Sequence, residues 1–251
     1  MNLIHEPIQV ESGTSDLLIL YIHGLMGSPL ESTKIWNSLD NLNFHGQAIL
    51  LPGHGGSAHD FGSNGPQAWQ AHVNRTLADL SKSYARIILI GHSLGGLLAL
   101  QASLQIPVNG IVLLNTPAKT HISLRQISIS ARVLFSSDQT HDPLISAYRK
   151  SFSVGMQDFW NLPLWIPRLM DIRRVADRTM SILKQVTVPV MIFQSRQDET
   201  VNPISAEQLK KGLGEHAIGL TYLEKSSHAY FVDEDFQNII QGIKRLIDLT
   251  N

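Results

Sequence analysis

Three residue types far apart in this chain could together attack a carbonyl: a serine, a histidine and a carboxylate. The serine is Ser93, in the run Gly91-His92-Ser93-Leu94-Gly95. A serine hydroxyl is a weak nucleophile. It needs a base to take its proton, and the base needs an acid to hold it in one tautomer. A Gly-x-Ser-x-Gly pattern alone arises by chance. It gains meaning when a buried strand runs into it and a helix leaves it, because that turn strains the serine backbone and pushes the hydroxyl out at the sheet edge. Residues 86–90 read as such a strand, and Leu94 opens a strongly apolar segment of helix length.

In that arrangement the acid follows the serine and the histidine comes last. Asp198 stands just beyond the apolar run 189–193, in Gln197-Asp198-Glu199-Thr200-Val201, with Glu199 as the rival carboxylate. His228 follows the last apolar run, which ends at Leu223. Ser93, Asp198 and His228 are therefore the expected catalytic set. His228 would take the Ser93 proton during attack on an acyl carbon, Asp198 would steady the imidazolium, and water would release the acid in a second cycle. The oxyanion formed needs backbone donors. One expected donor is the amide of Leu94, at the positive end of its helix. The other is the amide of Leu25, in the turn His23-Gly24-Leu25-Met26-Gly27. The loop 51–57, Leu-Pro-Gly-His-Gly-Gly-Ser, lacks the lysine of a phosphate loop. His54, His59 and Asp60 match no metal spacing, so this loop is expected to be structural and near the site mouth. No cofactor and no metal are expected.

The elements that must position these residues can be read from hydropathy. Apolar runs at Leu17–Ile22, 47–51, 86–90, Gly110–Leu114, 189–193 and, more weakly, 220–223 do not alternate, as strands covered on both faces should not. Helix-length segments lie between them, at 29–41, 66–83, 94–105, 203–211 and 233–249, which gives an α/β doubly wound sheet. The stretch 118–185 breaks the rhythm. It has no strong buried strand, it carries Phe135, Tyr148, Phe152, Phe159, Trp160 and Trp165, and it is too long for an ordinary connection. It is expected to be an inserted lid of short helices, with 1–117 and 186–251 as the core. A plain covering helix with long loops is the alternative. Phe159, Trp160 and Trp165 are the expected substrate-binding residues, because an acyl chain needs an apolar pocket. Arg173 and Arg174 could face an acidic carrier or a substrate carboxylate, or form a solvated helix face.

With 251 residues, 43% apolar and 16% charged, the chain can bury a sizeable core and general disorder is excluded. Twenty basic and 21 acidic residues leave a formal charge of −1, which gives no electrostatic footprint for nucleic acid or an anionic membrane. The absence of cysteine excludes disulfides, thiolate metal sites and a cysteine nucleophile. No apolar stretch reaches the roughly 18 residues of a membrane span. Residues 1–10 do not read as a signal peptide, so a soluble cytoplasmic protein is expected.

The runs His23-Gly-Leu-Met-Gly27, Leu51-Pro-Gly-His-Gly55, Gly91-His-Ser-Leu-Gly-Gly96, Gln197-Asp-Glu-Thr-Val201 and Ser227-His228 fall in the order found in bacterial carboxylesterases and monoacylglycerol lipases. The chain resembles that group over nearly its whole length, least in 118–185. The resemblance implies the α/β-hydrolase fold, with a mostly parallel central sheet, helices on both faces and an inserted helical lid. It implies a monomeric or dimeric serine carboxylesterase that acts on small-molecule esters of short to medium acyl chains without a cofactor. It supports Ser93, Asp198 and His228 as the triad, with Leu25 and Leu94 as oxyanion donors. A single His-Gly before Leu25 points away from the hormone-sensitive lipase branch, and a serine at 93 away from haloalkane dehalogenases and epoxide hydrolases. The same motifs leave open a thioesterase, a carrier-protein methyl esterase, or a ligand-binding receptor that retains the triad.

Overall fold

The computed structural model describes residues 4–12, 14–119, 141–154, 163 and 165–251. In chain order the elements are β1 (Ile8–Ser12), β2 (Leu17–Ile22), α1 (Thr33–Ser38), β3 (Phe44–Ile49), α2 (Ala58–Ser63), α3 (Pro66–Leu80), β4 (Arg86–His92) and α4 (Leu94–Ala102). They continue with β5 (Gly110–Leu114), α5 (Pro143–Ser151), α6 (Trp165–Ile182), β6 (Val190–Ser195), α7 (Ile204–Leu213), β7 (Ala217–Leu223) and α8 (Asp233–Leu249).

The strands form one seven-stranded sheet in the order β1-β3-β2-β4-β5-β6-β7. Only β1 runs antiparallel to its neighbour; the other pairings are parallel. The central strands β2, β5 and β6 are buried along their whole length, and β4 everywhere but its first residue. Side chains on a strand alternate between faces, so both sheet faces must be covered. On β2, Leu18, Leu20 and Ile22 belong to the same buried cluster as Trp69, Val73, Leu97 and Ala176. Leu17, Ile19 and Tyr21 belong to a second cluster with Ile35, Trp36, Phe236 and Ile243. The helices that supply these contacts are amphipathic at the helical period. Trp69, Val73 and Leu77 form the buried stripe of α3, and Phe236, Ile239, Ile240, Ile243 and Ile247 that of α8. Burying each large side chain stabilises the fold by about 1.5–3 kcal/mol.

The expected mostly parallel sheet with helices on both faces is thus present, with two differences at its edge. Strand β1 is absent from the sequence reading, and β3 spans Phe44–Ile49 rather than 47–51. Both follow from the same packing. Ile8 and Val10 alternate with polar residues, as a half-exposed edge strand should, and pair with Ala48 and Gly46. Gly46 lies so close to the Val10 side chain that a Cβ there would approach it to 2.5 Å, so a glycine belongs inside this strand.

Within 118–185, α5 starts at Asp142, whose carboxylate accepts the amides of Leu144 and Ile145. Helix α6 lies along α4 and α2. It buries Asp171, Val175, Ala176 and Thr179, and the Thr179 hydroxyl accepts a 2.8 Å bond from Gln101 of α4. Among the described residues, no helix is long and apolar enough to cross a membrane.

Candidate active site

The parallel strands end together at their carboxyl edge, the usual place for a site on such a sheet. There β2 delivers His23, β4 delivers Ser93, β5 delivers Asn115, β6 delivers Asp198 and β7 delivers His228.

Ser93 joins β4 to α4 at φ 52°, ψ −118°, a conformation costly for a residue with a Cβ. Two features hold it there. Its amide donates to the Leu114 carbonyl at 2.8 Å, and α4 packs directly on the end of β2. A Cβ on Gly95 would stand 2.0 Å from the Ile22 carbonyl oxygen, so any side chain would drive the helix off the strand. Gly24 is similarly confined: a Cβ there would meet the Ser93 Cβ at 3.1 Å, which places the 23–27 loop directly over the serine.

Asp198, not Glu199, meets the histidine ring. Its Oδ2 lies 2.9 Å from His228 Nδ1 and accepts from Gln194 Nε2 at 3.2 Å. Its Oδ1 accepts the amides of Thr200 and Val201 at 2.8 and 2.7 Å, so the turn holds the carboxylate from the side away from the histidine-bonded oxygen. Glu199 takes a different part. It faces the His228 amide at 3.4 Å and accepts the Tyr148 hydroxyl. Because Asp198 can only accept, the proton on His228 lies on Nδ1 and Nε2 is the basic nitrogen. Neither His228 Nε2 nor Ser93 Oγ makes a hydrogen bond among the described residues. The His228 ring lies 4.9 Å from that of His92, the residue before Ser93 in the chain. Burial disfavours the His228 cation, but the Asp198 charge and hydrogen bond outweigh it, with Glu199 and Glu31 adding to them. The His228 pKa is therefore raised above its ordinary 6.5.

The 23–27 loop is held by two neutral histidines. His23 bridges the Gly24 carbonyl at 2.8 Å and the Leu51 amide at 3.0 Å. One contact needs a ring N–H and the other a ring lone pair, so the ring is neutral. Burial agrees, lowering its pKa to about 4. His54 accepts the Met26 amide at 3.0 Å, and its burial likewise keeps it uncharged. Met26 has φ 58°, and this bond stabilises its turn. The amides of Leu25 and Leu94 donate to no atom among the described residues.

Other residues of the site were not evident in the sequence. Asn115, at φ 47°, donates to the His228 carbonyl at 2.8 Å and to Ser195 Oγ at 3.1 Å, and accepts the Ser195 amide at 2.7 Å. Asp235 accepts the amides of Glu224, Lys225 and Ser226 and so shapes the loop that carries His228. Glu31 bonds His92 at 2.9 Å. Ser28-x-x-Glu31 has capping-box spacing, and Ser28 does cap the following turn; that spacing was the one available signal for Glu31.

Of the residues expected to line a pocket, Trp165 is buried. It packs against Phe61 and Phe152 at 6.1 Å each, and its indole N–H has no acceptor among the described residues. Phe135, Phe159, Trp160, Leu162 and Leu164 lie outside the described residues. Arg173 and Arg174 pair with carboxylates of their own helix, Asp177 at 3.8 Å and Asp171 at 2.8 Å. Among the described residues no group of three or more His, Cys, Asp or Glu could hold a metal ion.

Comparison with known proteins gives a consistent pattern. Residues 19–240 match the profile of the alpha/beta hydrolase family. The thermostable monoacylglycerol lipase of Bacillus sp. (strain H-257) is 22% identical over 243 residues, which cover 94% of this chain and 91% of that protein. A solved structure from a study of two metagenome-derived lipolytic enzymes is 20% identical, with a TM-score of 0.74 and 98% of each chain covered. The monoacylglycerol lipase of Paleococcus ferrophilus is 16% identical, with a TM-score of 0.70 over 97% of this chain and 99% of that one. At these identities the structural likeness speaks for the fold.

Proposed function

The chain belongs to the alpha/beta hydrolase family, and from that premise we propose that it is a serine carboxylesterase using Ser93, His228 and Asp198. The observation that carries this reading is the 2.9 Å Asp198–His228 pair, which leaves Nε2 without a partner among the described residues at the same sheet edge as a serine held at positive φ. His228 Nε2 takes the Ser93 proton as Oγ attacks the acyl carbon. The oxyanion falls to the amides of Leu25 and Leu94, each worth on the order of 3 kcal/mol in comparable sites. The imidazolium, held by Asp198, protonates the leaving alkoxide. A water then attacks the acyl-enzyme with His228 again as base.

The substrates proposed are small esters of short to medium acyl chains. The lipolytic and monoacylglycerol lipase relatives support this class. Trp165 packs with Phe61 and Phe152 in the buried core, and Phe159 and Trp160 are proposed to line an acyl pocket within a lid. The engagement of Arg173 and Arg174 with Asp177 and Asp171 gives a carrier-protein substrate no specific support. A rate profile over p-nitrophenyl esters from acetate to palmitate tests the proposal. A maximum at short or medium chains is expected. Folded protein inert to the whole series would reject it.

A further inference from the structure

His92 lies between two acceptors. Its Nε2 is 3.0 Å from the His228 carbonyl oxygen, which can only accept, so Nε2 carries a proton. Its Nδ1 is 2.9 Å from Glu31 Oε2. That carboxylate already accepts the Tyr21 hydroxyl at 2.9 Å on Oε2 and the Ser28 amide at 3.2 Å on Oε1. Each of these donors favours the ionised acid. A carboxylate facing Nδ1 requires a second ring proton there. The ring of His92 and the carboxyl of Glu31 are nearly excluded from solvent, at 5% and 11% side-chain exposure, where a charge persists only if paired.

We propose that Glu31 and His92 form a buried carboxylate–imidazolium pair that positions the nucleophile, the base and the oxyanion loop relative to one another. This inference rests on the triad reading above. Each end of the pair belongs to a different part of the site. His92 precedes Ser93 in the chain, so its backbone is the nucleophile's own. Its Nε2–H grips the peptide of His228, whose carbonyl also takes the Asn115 amide and whose N–H faces Glu199. Glu31 follows the 23–27 loop and closes back on it. It accepts the Ser28 amide, and it lies where a Cβ on Gly27 would come within 2.6 Å of its Oε1. One ion pair thereby ties the end of β4 to the segments that follow β2 and β7. A hydrogen bond to an ionised donor is shorter and stronger than a neutral one, which suits it to this task.

The pair's surroundings agree with the ionised form. Burial alone would raise the Glu31 carboxyl, but the His92 charge and hydrogen bond, with the Tyr21 hydrogen bond adding to them, bring it below its usual range. Tyr21 on β2 is raised, by burial first and then by the Glu31 charge, so its phenol stays a donor. The other titratable groups facing the pair are neutral His23, His5 through its 2.8 Å contact with Ser28 Oγ, and His228 backed by Asp198 and Glu199.

Glu31 and His92 are positioning residues, and their test has a readout that a merely structural role would not move. Long-range 1H–15N spectra of the intact labelled protein report the protonation of each histidine nitrogen, with His92 assigned by its loss in His92→Asn. Two protons on the His92 ring are expected in the wild type, and only the Nε2 proton in Glu31→Gln. The rate of Ser93 inactivation by a fluorophosphonate should fall on the order of 10²-fold in Glu31→Gln, as for a small misplacement of reacting groups. A wild-type His92 ring with a single proton would overturn the pair, and wild-type inactivation of Glu31→Gln would overturn its positioning role. If the wild-type protein is not inactivated at all, the triad reading fails and the positioning role with it. The spectrum still decides whether the ion pair exists.

Discussion

At the scale of single residues, the site depends on which nitrogen of which histidine carries a proton. His23 and His54 are kept neutral by burial and serve as braces; His228 is kept titratable by the carboxylates around it. A base must be unprotonated to act. A raised His228 pKa therefore places the acid limb of the kcat/KM–pH profile above 6.5, with activity rising as pH increases through it. Asp198 sets most of that shift and Glu199 contributes. Glu199→Gln should move the limb to lower pH, by less than one unit for a secondary charge. A profile unmoved by the substitution would show that the Glu199 charge does not reach the ring.

At the scale of elements, loops hold the chemistry and strand ends hold the loops. The Met26 amide is tied to His54, and the Met26 carbonyl accepts the Ser153 amide at 2.9 Å from the segment after α5. His54→Ala removes the acceptor and frees the turn that carries the Leu25 amide, the proposed oxyanion donor. The expected loss is about tenfold or more in kcat with a smaller change in KM, as for a donor engaged mainly in the transition state. Steady-state kinetics would check it, and an unchanged kcat would separate His54 from the oxyanion loop. The elbow is tighter still. Gly95→Ala forces α4 away from the Ile22 carbonyl and should destabilise the fold by about 3 kcal/mol, read as a lower denaturant midpoint.

At the scale of the whole molecule, the two cores on either face of the sheet set stability more than activity. Ile243 of α8 is fully buried in the core, about two helical turns beyond Asp235. Ile243→Ala should cost about 2–5 kcal/mol in urea unfolding while leaving kcat unchanged in the folded range. This scale also explains what the sequence could and could not reveal. Strands β2, β4, β5 and β6 are legible because burial on both faces demands unbroken apolar runs. Edge strand β1 is not, since its pattern acquires meaning only through its pairing with β3. Ser93, Asp198 and His228 are legible because each follows a readable strand in a fixed order. Glu31, Asn115 and Asp235 are not. Each is an ordinary polar residue: the partners of Glu31 and Asn115 lie across the sheet edge, those of Asp235 in the loop before its helix, and only the folded chain brings them together. In the stretch 118–185 the last helix, α6, lies on α4 through contacts that its own sequence does not name.

The central claim, that Ser93 is a nucleophile activated by His228, is tested most directly by labelling. Folded wild-type protein and its Ser93→Ala and His228→Ala variants would be treated with a fluorophosphonate, and the adduct mapped by peptide mass. The account expects one adduct on Ser93 in the wild type, none in Ser93→Ala, and a rate lower by about 10³-fold or more in His228→Ala. An adduct elsewhere, or undiminished labelling of Ser93 without His228, would contradict it.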